Sequence, residues 1–178
     1  MKTTGWRLAI AALAMICVAD VGAAGEIIVR PSHYRGWKTL EMSNRLVQLQ
    51  VAPQIGGRVI QFALGNYEYF FVNPELSGKE PPPSGLGSAG EWLNYGGEKL
   101  WPAPQGWDNA QQWPGPPAAV LDGSPHEGQI KSAADGRRVI RLQSPKDPRT
   151  GIQFSRTLEI HEGSTCVNFA AEMLNIDT

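Results

Sequence analysis

The sequence is poor in cysteine and histidine, and it carries almost no net charge. It has two cysteines and three histidines in 178 residues, and 16 basic residues nearly balance 17 acidic ones. A formal charge of −1 gives no electrostatic reason to expect nucleic acid or an anionic membrane surface as a partner. The composition therefore excludes a strongly basic nucleic-acid-binding domain.

Motifs that indicate a metal site, a nucleotide site or a hydrolase nucleophile are also missing. There is no His-x-His, no His-Glu-x-x-His and no cysteine pair, so we expect neither a metal site nor a cofactor. Gly-x-Ser-x-Gly is absent, which removes the usual hydrolase nucleophile. A Gly-x-Gly-x-x-Gly spacing begins at Gly85, but no strand precedes it and no helix follows. We interpret that spacing as chance.

The first 24 residues have the features of an export signal. Lys2 and Arg7 supply a positive start, an apolar run covers residues 8–18, and small residues at 21–24 offer a cleavage site. The apolar run is well short of the ~20 residues that span a bilayer. We therefore predict a signal peptide over 1–24, no membrane anchor after its removal, and a periplasmic or extracellular location for the domain over 25–178.

Removal of the signal would leave one cysteine. Cys17 lies in the apolar run, and Cys166 would remain without a partner for an internal disulfide. The residues around Cys166 form a strand-like pattern, which predicts that this thiol is a small core filler.

Short runs rich in β-branched and aromatic residues, bounded by turn formers, predict strands along most of the chain. The runs cover residues 46–51, 58–64, 67–72, 118–121, 128–132, 138–143, 152–161 and 166–174. Apolar and polar residues largely alternate in the run from 152, although Arg156-Thr157 breaks the order. Glu162-Gly163 predicts the turn of a hairpin. No later run has helical spacing for twelve residues, so we predict an all-β fold, an antiparallel β-sandwich or a barrel.

A long loop over residues 73–117 interrupts these strands, and it concentrates tryptophan and proline. Proline at this density excludes regular helix and central strand, and a long irregular segment in a compact domain is usually functional. The electron-rich indole face suits the apolar face of a sugar ring. Trp101, Trp107 and Trp113, with Asp108 between them, combine stacking platforms with hydrogen-bonding groups. Alternatively, the tryptophans pack against the prolines and fasten the loop to the sheet, and both roles can hold together.

Acid–base chemistry has weaker candidates. His126 lies in a turn-like segment between Asp122 and Glu127, where a histidine beside carboxylates could act as a general acid or could simply be solvated. Glycoside hydrolysis needs two carboxylates that flank a bond, and the sequence contains no information on the separation between candidates. Those candidates are Glu91, Glu98, Asp108, Asp122 and Glu127.

Three segments carry a resemblance to a known family. They are Gly56-Gly57-Arg58-Val59-Ile60-Gln61-Phe62, then Gly96-Gly97-Glu98-Lys99-Leu100-Trp101-Pro102-Ala103-Pro104-Gln105, and the hairpin from Phe154 to Thr178. In this order, over residues 26–178, the chain resembles the galactose mutarotase-like (aldose 1-epimerase-like) superfamily, in its uncharacterised bacterial branch.

The resemblance implies a large antiparallel β-sandwich, of which this sequence looks like the N-terminal half, and a sugar or oligosaccharide ligand. In that family a glutamate of the C-terminal half acts as the base, and a histidine just after the hairpin corner acts as the acid. The sequence ends at the corner, Asn175–Thr178, so neither role passes to a residue of this chain and the catalytic residues stay unknown. Half a sandwich would also leave sheet edges and an apolar face uncovered.

Three functional hypotheses follow. The first is an exported carbohydrate-binding domain of mutarotase-like type that is catalytically incomplete. The second is an active sugar epimerase whose C-terminal half is missing here, and the third is a non-enzymatic structural or interaction domain. For the first, the predicted ligand contacts are Glu98, Lys99, Trp101, Trp107, Asp108, Trp113 and His126.

Overall fold

The computed structural model describes residues 26–81, 92–103, 118–148 and 150–176, and it contains two antiparallel sheets. The first sheet has the strands β1 (Ile28–Tyr34), β2 (Trp37–Ser43), β3 (Val47–Ala52), β4 (Arg58–Leu64) and β5 (Tyr67–Glu68). The second has β6 (Glu127–Ser132), β7 (Arg138–Lys146), β8 (Ile152–Ile160) and β9 (Val167–Asn175). Within each sheet, every strand pairs with the next one along the chain. The all-β prediction is confirmed.

One apolar core joins the two sheets. Met42 and Leu49 from the first sheet belong to the same buried cluster as Leu142 and Leu158 from the second. The alternation in β8 explains how the second sheet contributes, because every other residue from Phe154 onward is buried. Two antiparallel layers with a shared core form a β-sandwich, as predicted.

The sequence pattern missed β1 and β2. Pro31 lies inside β1 and would disrupt a central strand, but β1 is at the edge of its sheet, where proline is tolerated. Arg35 and Gly36, with φ of 45° and 91°, form the two-residue turn between the strands. Positive φ at both positions is the backbone of a type I′ hairpin turn.

The strand predicted over 67–72 is mostly absent. Regular strand pairing ends at Glu68. The Tyr69 amide still donates to the carbonyl of Phe62 at 2.9 Å, but the rung beyond it is formed by the side-chain amide of Gln61. Its Nε2 donates to the carbonyl of Phe70 at 3.1 Å, and its Oε1 accepts from the Phe70 amide at 2.8 Å. Val72 then forms a single isolated bridge with Gly96.

The strand predicted over 118–121 is wrong. This segment enters a single π-helical turn, Ala119–Gly123. The amide of Asp122 donates to the carbonyl of Ala118 at 2.9 Å, and Oδ2 of Asp122 accepts from the Ala118 amide at 2.8 Å. The buried carboxylate of Asp122 therefore stabilises the turn by accepting a hydrogen bond from the backbone four residues earlier. The apolar pattern of the segment gave no indication of this bond.

The core role predicted for Cys166 is also wrong, because its side chain is exposed. It lies just before β9, which among the described residues pairs only with β8 and forms the edge of the second sheet. Phe169, Met173 and Leu174 of β9 are 49%, 64% and 60% exposed. A strand-like pattern on such an edge does not imply burial on either face.

In the described ranges, no helix is both long enough and apolar enough to cross a bilayer. The predicted signal peptide lies outside those ranges, as do residues 82–91 and 104–117 of the tryptophan- and proline-rich loop.

Candidate functional site

The described chain holds four of the seven residues predicted to contact a ligand: Glu98, Lys99, Trp101 and His126. Trp107, Asp108 and Trp113 lie outside the described residues, and so does the candidate carboxylate Glu91. The exposed carboxylate Glu127 begins β6 and accepts a hydrogen bond from Gln129.

Residues 96–99 are fastened along β4 by backbone hydrogen bonds. Val59 and Glu98 exchange two of them, at 3.0 and 2.8 Å, and the Gly97 amide donates to the carbonyl of Phe71 at 2.9 Å. A Cβ on Gly97, whose φ is +71°, would lie 2.5 Å from the carbonyl oxygen of Val59. Glycine therefore permits the close approach that places Glu98 and Lys99 over the first sheet.

Arg58 anchors the site from β4. Its side chain is 4% exposed, and each guanidinium nitrogen has a carbonyl acceptor. Nε donates to Ile55 at 2.8 Å, Nη1 to Gly96 at 2.8 Å, and Nη2 to Asp122 at 3.0 Å. The ring of Tyr95 lies against the same guanidinium, 5.4 Å from centroid to Cζ. Arg58 thus fixes three loops to one another.

Asp122 is the acidic centre of the site, and its side chain is fully buried. Its carboxylate pairs with the ammonium of Lys99 and lies 3.9 Å from Nη2 of Arg58. A buried carboxylate is stable only with such partners. The π-helical turn therefore presents Asp122 to two cations that come from different segments.

Lys99 also contacts an aromatic ring. Its Nζ lies 4.2 Å from the centroid of the Trp101 ring, a cation–π contact. Burial lowers the pKa of Lys99, and the carboxylate of Asp122 offsets part of that effect. The side chain is 22% exposed, so the ammonium joins the buried Asp122 to the surface at Trp101.

Arg156 is the second buried arginine, and it is far less well satisfied than Arg58. Its side chain is 5% exposed, and its Nη2 donates to Oε2 of Glu98 at 2.6 Å. Its Nη1 is buried and has no hydrogen-bond partner in the described chain. The ring of Phe169 lies 5.3 Å from Cζ. Buried donors normally find acceptors, so this guanidinium has capacity left for one more.

We call Arg58, Glu98, Lys99, Asp122, His126 and Arg156 the charged cluster. Glu98 acts on the pKa of Arg58, and both arginines act on that of His126, so these charges lie within range of one another. Three side chains are cationic and two are anionic. The cluster therefore has a surplus of one positive charge while His126 is neutral.

A recess of about 270 Å³ opens beside the charged cluster. We call it the Trp101 recess, and its walls are apolar. They are formed by Leu100, Trp101, Pro102, Ala103, Phe154, Ala171 and Met173. Arg156 is not part of the lining, but its side chain lies on the same face of the second sheet as two lining residues, its cross-strand partner Ala171 and Phe154, two residues before it. The Nε1 of Trp101 is buried without an acceptor in the described chain.

His126 is packed beneath the turn between β3 and β4. A Cβ on Gly57 would lie 2.6 Å from the imidazole, and Nδ1 lies 3.0 Å from the carbonyl oxygen of Ser124. Burial lowers the pKa of His126 to about 4, and the nearby Arg156 and Arg58 act in the same direction. The ring is therefore neutral near pH 7, and a general-acid role would require the protonated form that this site disfavours.

We expect His126 to make folding stability depend on pH. Its pKa is about 4 in the folded protein, against 6.5 for a freely solvated imidazole, so the unfolded chain binds the extra proton between those values. The contribution is complete above pH 6.5 and is lost as the pH falls toward 4, about 3 kcal/mol in all. Urea unfolding at pH 7 and pH 4 should show this loss in the wild type and a much smaller one in His126→Asn.

Carboxylates also titrate in this range, so the comparison needs a matched variant. His33→Asn replaces a histidine of β1 that lies outside the charged cluster, and it should keep the wild-type pH dependence. If the free energy of unfolding falls equally between pH 7 and pH 4 in the wild type, His33→Asn and His126→Asn, the imidazole of His126 is not buried in its neutral form.

A second groove, of about 420 Å³, lies on the other side of His126. Pro31, Leu40, Pro53 and Pro125 give it apolar walls, and Lys38 and Glu80 stand at its edge. No buried polar group without a partner lines it in the described chain. It is less suited to a specific ligand than the Trp101 recess.

Sequence reasoning missed Arg58 and Arg156, the two residues that organise the site. One signal was available for Arg156, because Arg156-Thr157 interrupts the alternation of β8 and places a cation on its buried face. Arg58 follows the Gly56-Gly57 pair and looks like an ordinary polar strand residue. Within the described ranges, no three histidine, cysteine or acidic side chains are grouped to hold a metal ion.

Comparison with known proteins places the chain in a family but does not supply an activity. No curated protein and no solved structure matches it. A family model described as a domain of unknown function, DUF4380, matches residues 37–178. That match covers β2 to β9, the charged cluster and the Trp101 recess. The chain therefore belongs to the DUF4380 family.

Proposed function

We propose that this protein is an exported carbohydrate-binding domain and that a sugar ring occupies the Trp101 recess. The observation that carries the proposal is an apolar cavity with an indole wall, whose Trp101 ring contacts Lys99 of the charged cluster. Ligand sites typically combine such apolar walls with a few polar groups that fix orientation. We also propose that the domain is of the mutarotase-like type that the sequence resembles.

The size of the recess suits a single ring. Its 270 Å³ is slightly below the usual range for small-molecule pockets, about 300–1,000 Å³. The indole of Trp101 is half-buried, so part of its surface remains open to a ligand. Lys99 and Glu98, 22% and 39% exposed at their side chains, offer a donor and an acceptor for hydroxyl groups.

We propose that the domain binds a sugar, and we do not propose that it catalyses a reaction. Opening a sugar ring requires one group that takes a proton and another that gives one. In the portion of the chain that the structure describes, Asp122 is held by two cations, Glu98 is held by Arg156, and His126 is neutral. These groups are arranged to hold charge in fixed positions.

Replacing Trp101 should weaken sugar binding strongly. Trp101→Ala removes the stacking wall, and we expect affinity for a bound monosaccharide to fall about fivefold, since a ring contact is worth about 1 kcal/mol. Isothermal titration calorimetry with a panel of monosaccharides measures this, and urea unfolding verifies that the variant is folded.

Trp92→Ala is the matched control because Trp92 is 48% exposed and does not line the recess. It should bind sugars as the wild type does. If the folded wild type binds no sugar in the panel, or if Trp101→Ala binds as tightly as Trp92→Ala, the proposed function is wrong.

A further inference from the structure

We infer that the ligand of the Trp101 recess is an acidic sugar, a hexuronate whose carboxylate is bound by the guanidinium of Arg156. This inference rests on the proposed function and specifies that the bound sugar carries a negative charge. It follows from the contrast between the two buried arginines of the site.

Arg58 shows what a structural arginine needs in this fold. All three of its nitrogens donate to carbonyl oxygens, so none of these nitrogens lacks a partner among the described residues. Arg156 is equally buried, yet its only hydrogen bond in the described chain is the one from Nη2 to Glu98. A guanidinium presents five donors in a planar fork that matches a carboxylate.

The unused hydrogen-bond donors of Arg156 destabilise the protein unless a ligand supplies an acceptor. A buried donor without an acceptor is destabilising, and more so when it is charged. Nη1 of Arg156 is such a donor. A ligand carboxylate supplies two acceptor oxygens and a negative charge, so it satisfies the fork and neutralises the surplus charge of the cluster.

Access to Arg156 is through its aromatic cover. The ring of Phe169 lies over the guanidinium at 5.3 Å, is 49% exposed, and belongs to β9, the edge strand. Because about half of this ring is open to solvent, an entering carboxylate can displace it. The sugar ring then lies against Trp101, with its acidic carbon directed toward Arg156.

Neutral sugars lack the matching group. A hydroxymethyl group in place of the carboxylate offers one oxygen and no charge, so it leaves the surplus of the charged cluster uncompensated. Sites that hold a charged donor discriminate strongly against ligands that leave it unpaired. We therefore expect a methyl hexuronide to bind at least tenfold more tightly than the corresponding methyl hexoside.

The test compares methyl glycosides of glucuronate and galacturonate with those of glucose and galactose, by calorimetry at low and high sodium chloride. In the wild type, the uronides should bind more tightly, and salt should reduce that preference. Arg156→Gln should lower the ratio of uronide to hexoside affinity to near one, and Arg156→Lys should retain part of it.

Glu98→Gln provides an opposite effect that does not depend on removing Arg156. It deletes the anion that competes for the guanidinium, so the ratio should rise severalfold. A merely structural ion pair would make both substitutions destabilising without moving the ratio in opposite directions. Arg138→Gln, at an exposed position that begins β7, is the matched control and should leave both affinities unchanged.

The outcomes separate this inference from the proposed function. If hexosides and uronides bind equally in the wild type, or if Arg156→Gln keeps the preference, the acidic-sugar inference is overturned while sugar binding stands. If no glycoside of either kind binds to the folded protein, the proposed function fails and the inference fails with it.

Discussion

Replacing Asp122 by asparagine should lower the free energy of unfolding by about 3–5 kcal/mol. The side chain is fully buried and compensates the charges of Lys99 and Arg58. Asparagine keeps the shape and can still accept from the Ala118 amide, but it removes the larger of the two carboxylate charges that act on the buried cation Arg58. Urea unfolding at pH 7 measures the loss directly.

Two further variants test the cause. Asp135→Asn removes an exposed acid that pairs with Arg137, and it should leave the unfolding midpoint unchanged, because surface ion pairs contribute little. Lys99→Met in the Asp122→Asn background removes one of the stranded cations and should recover part of the lost stability. If Asp122→Asn costs no more than Asp135→Asn, the carboxylate does not hold the site together.

Gly56→Ala should be strongly destabilising. Gly56 has a φ of +77°, and a Cβ there would lie 2.4 Å from the carbonyl oxygen of Leu121. That oxygen belongs to the buried π-helical turn, which cannot move without disturbing Asp122. We expect a loss of about 4 kcal/mol, made up of backbone strain and of overpacking against backbone.

Gly65→Ala separates the two causes. Gly65 also has a positive φ, +56°, but a Cβ there would have no atom within 4 Å. It should therefore cost only the strain, about 1 kcal/mol. Thermal or urea unfolding of both variants gives the difference. Equal losses would mean that the contact between Gly56 and the π-helical turn is not tight.

Much of the sheet architecture could be predicted from local patterns. The prediction for β4 agrees with the observed bounds because Gly56-Gly57 precedes it and Gly65-Asn66 follows it. The turn at Glu162-Gly163 is confirmed, since β8 and β9 pair on either side of it. Such signals are local: a strand and its turns are encoded by residues that are neighbours in the sequence.

The errors have a common physical origin in side chains that bond to the backbone. The strand expected after Tyr67 ends early because Gln61, on the preceding strand, supplies the hydrogen bonds of the next rung. The segment at 118–121 curls because a buried carboxylate captures its own backbone and two distant cations. Strand propensity does not decide the backbone conformation where a side chain hydrogen-bonds to the backbone in place of a neighbouring strand.

The candidate site illustrates the same division. Glu98, Lys99 and Trp101 were recognisable because they occupy one short run, but no local pattern indicated that Arg58, Asp122 and Arg156 would surround them. These side chains come from positions 58, 98, 122 and 156, and only the packing of the two sheets brings them within a few ångströms. The suppressed pKa of His126 likewise depends on burial.

Local sequence was enough to establish the class of fold, most strand positions and the kind of side chain available for a ligand, because periodicity and turn chemistry act over a few residues. Packing in three dimensions established which charges meet, which arginine is fully satisfied and which keeps a free donor. Those properties depend on distances and on exclusion of water, and both arise only when segments far apart in the chain pack together.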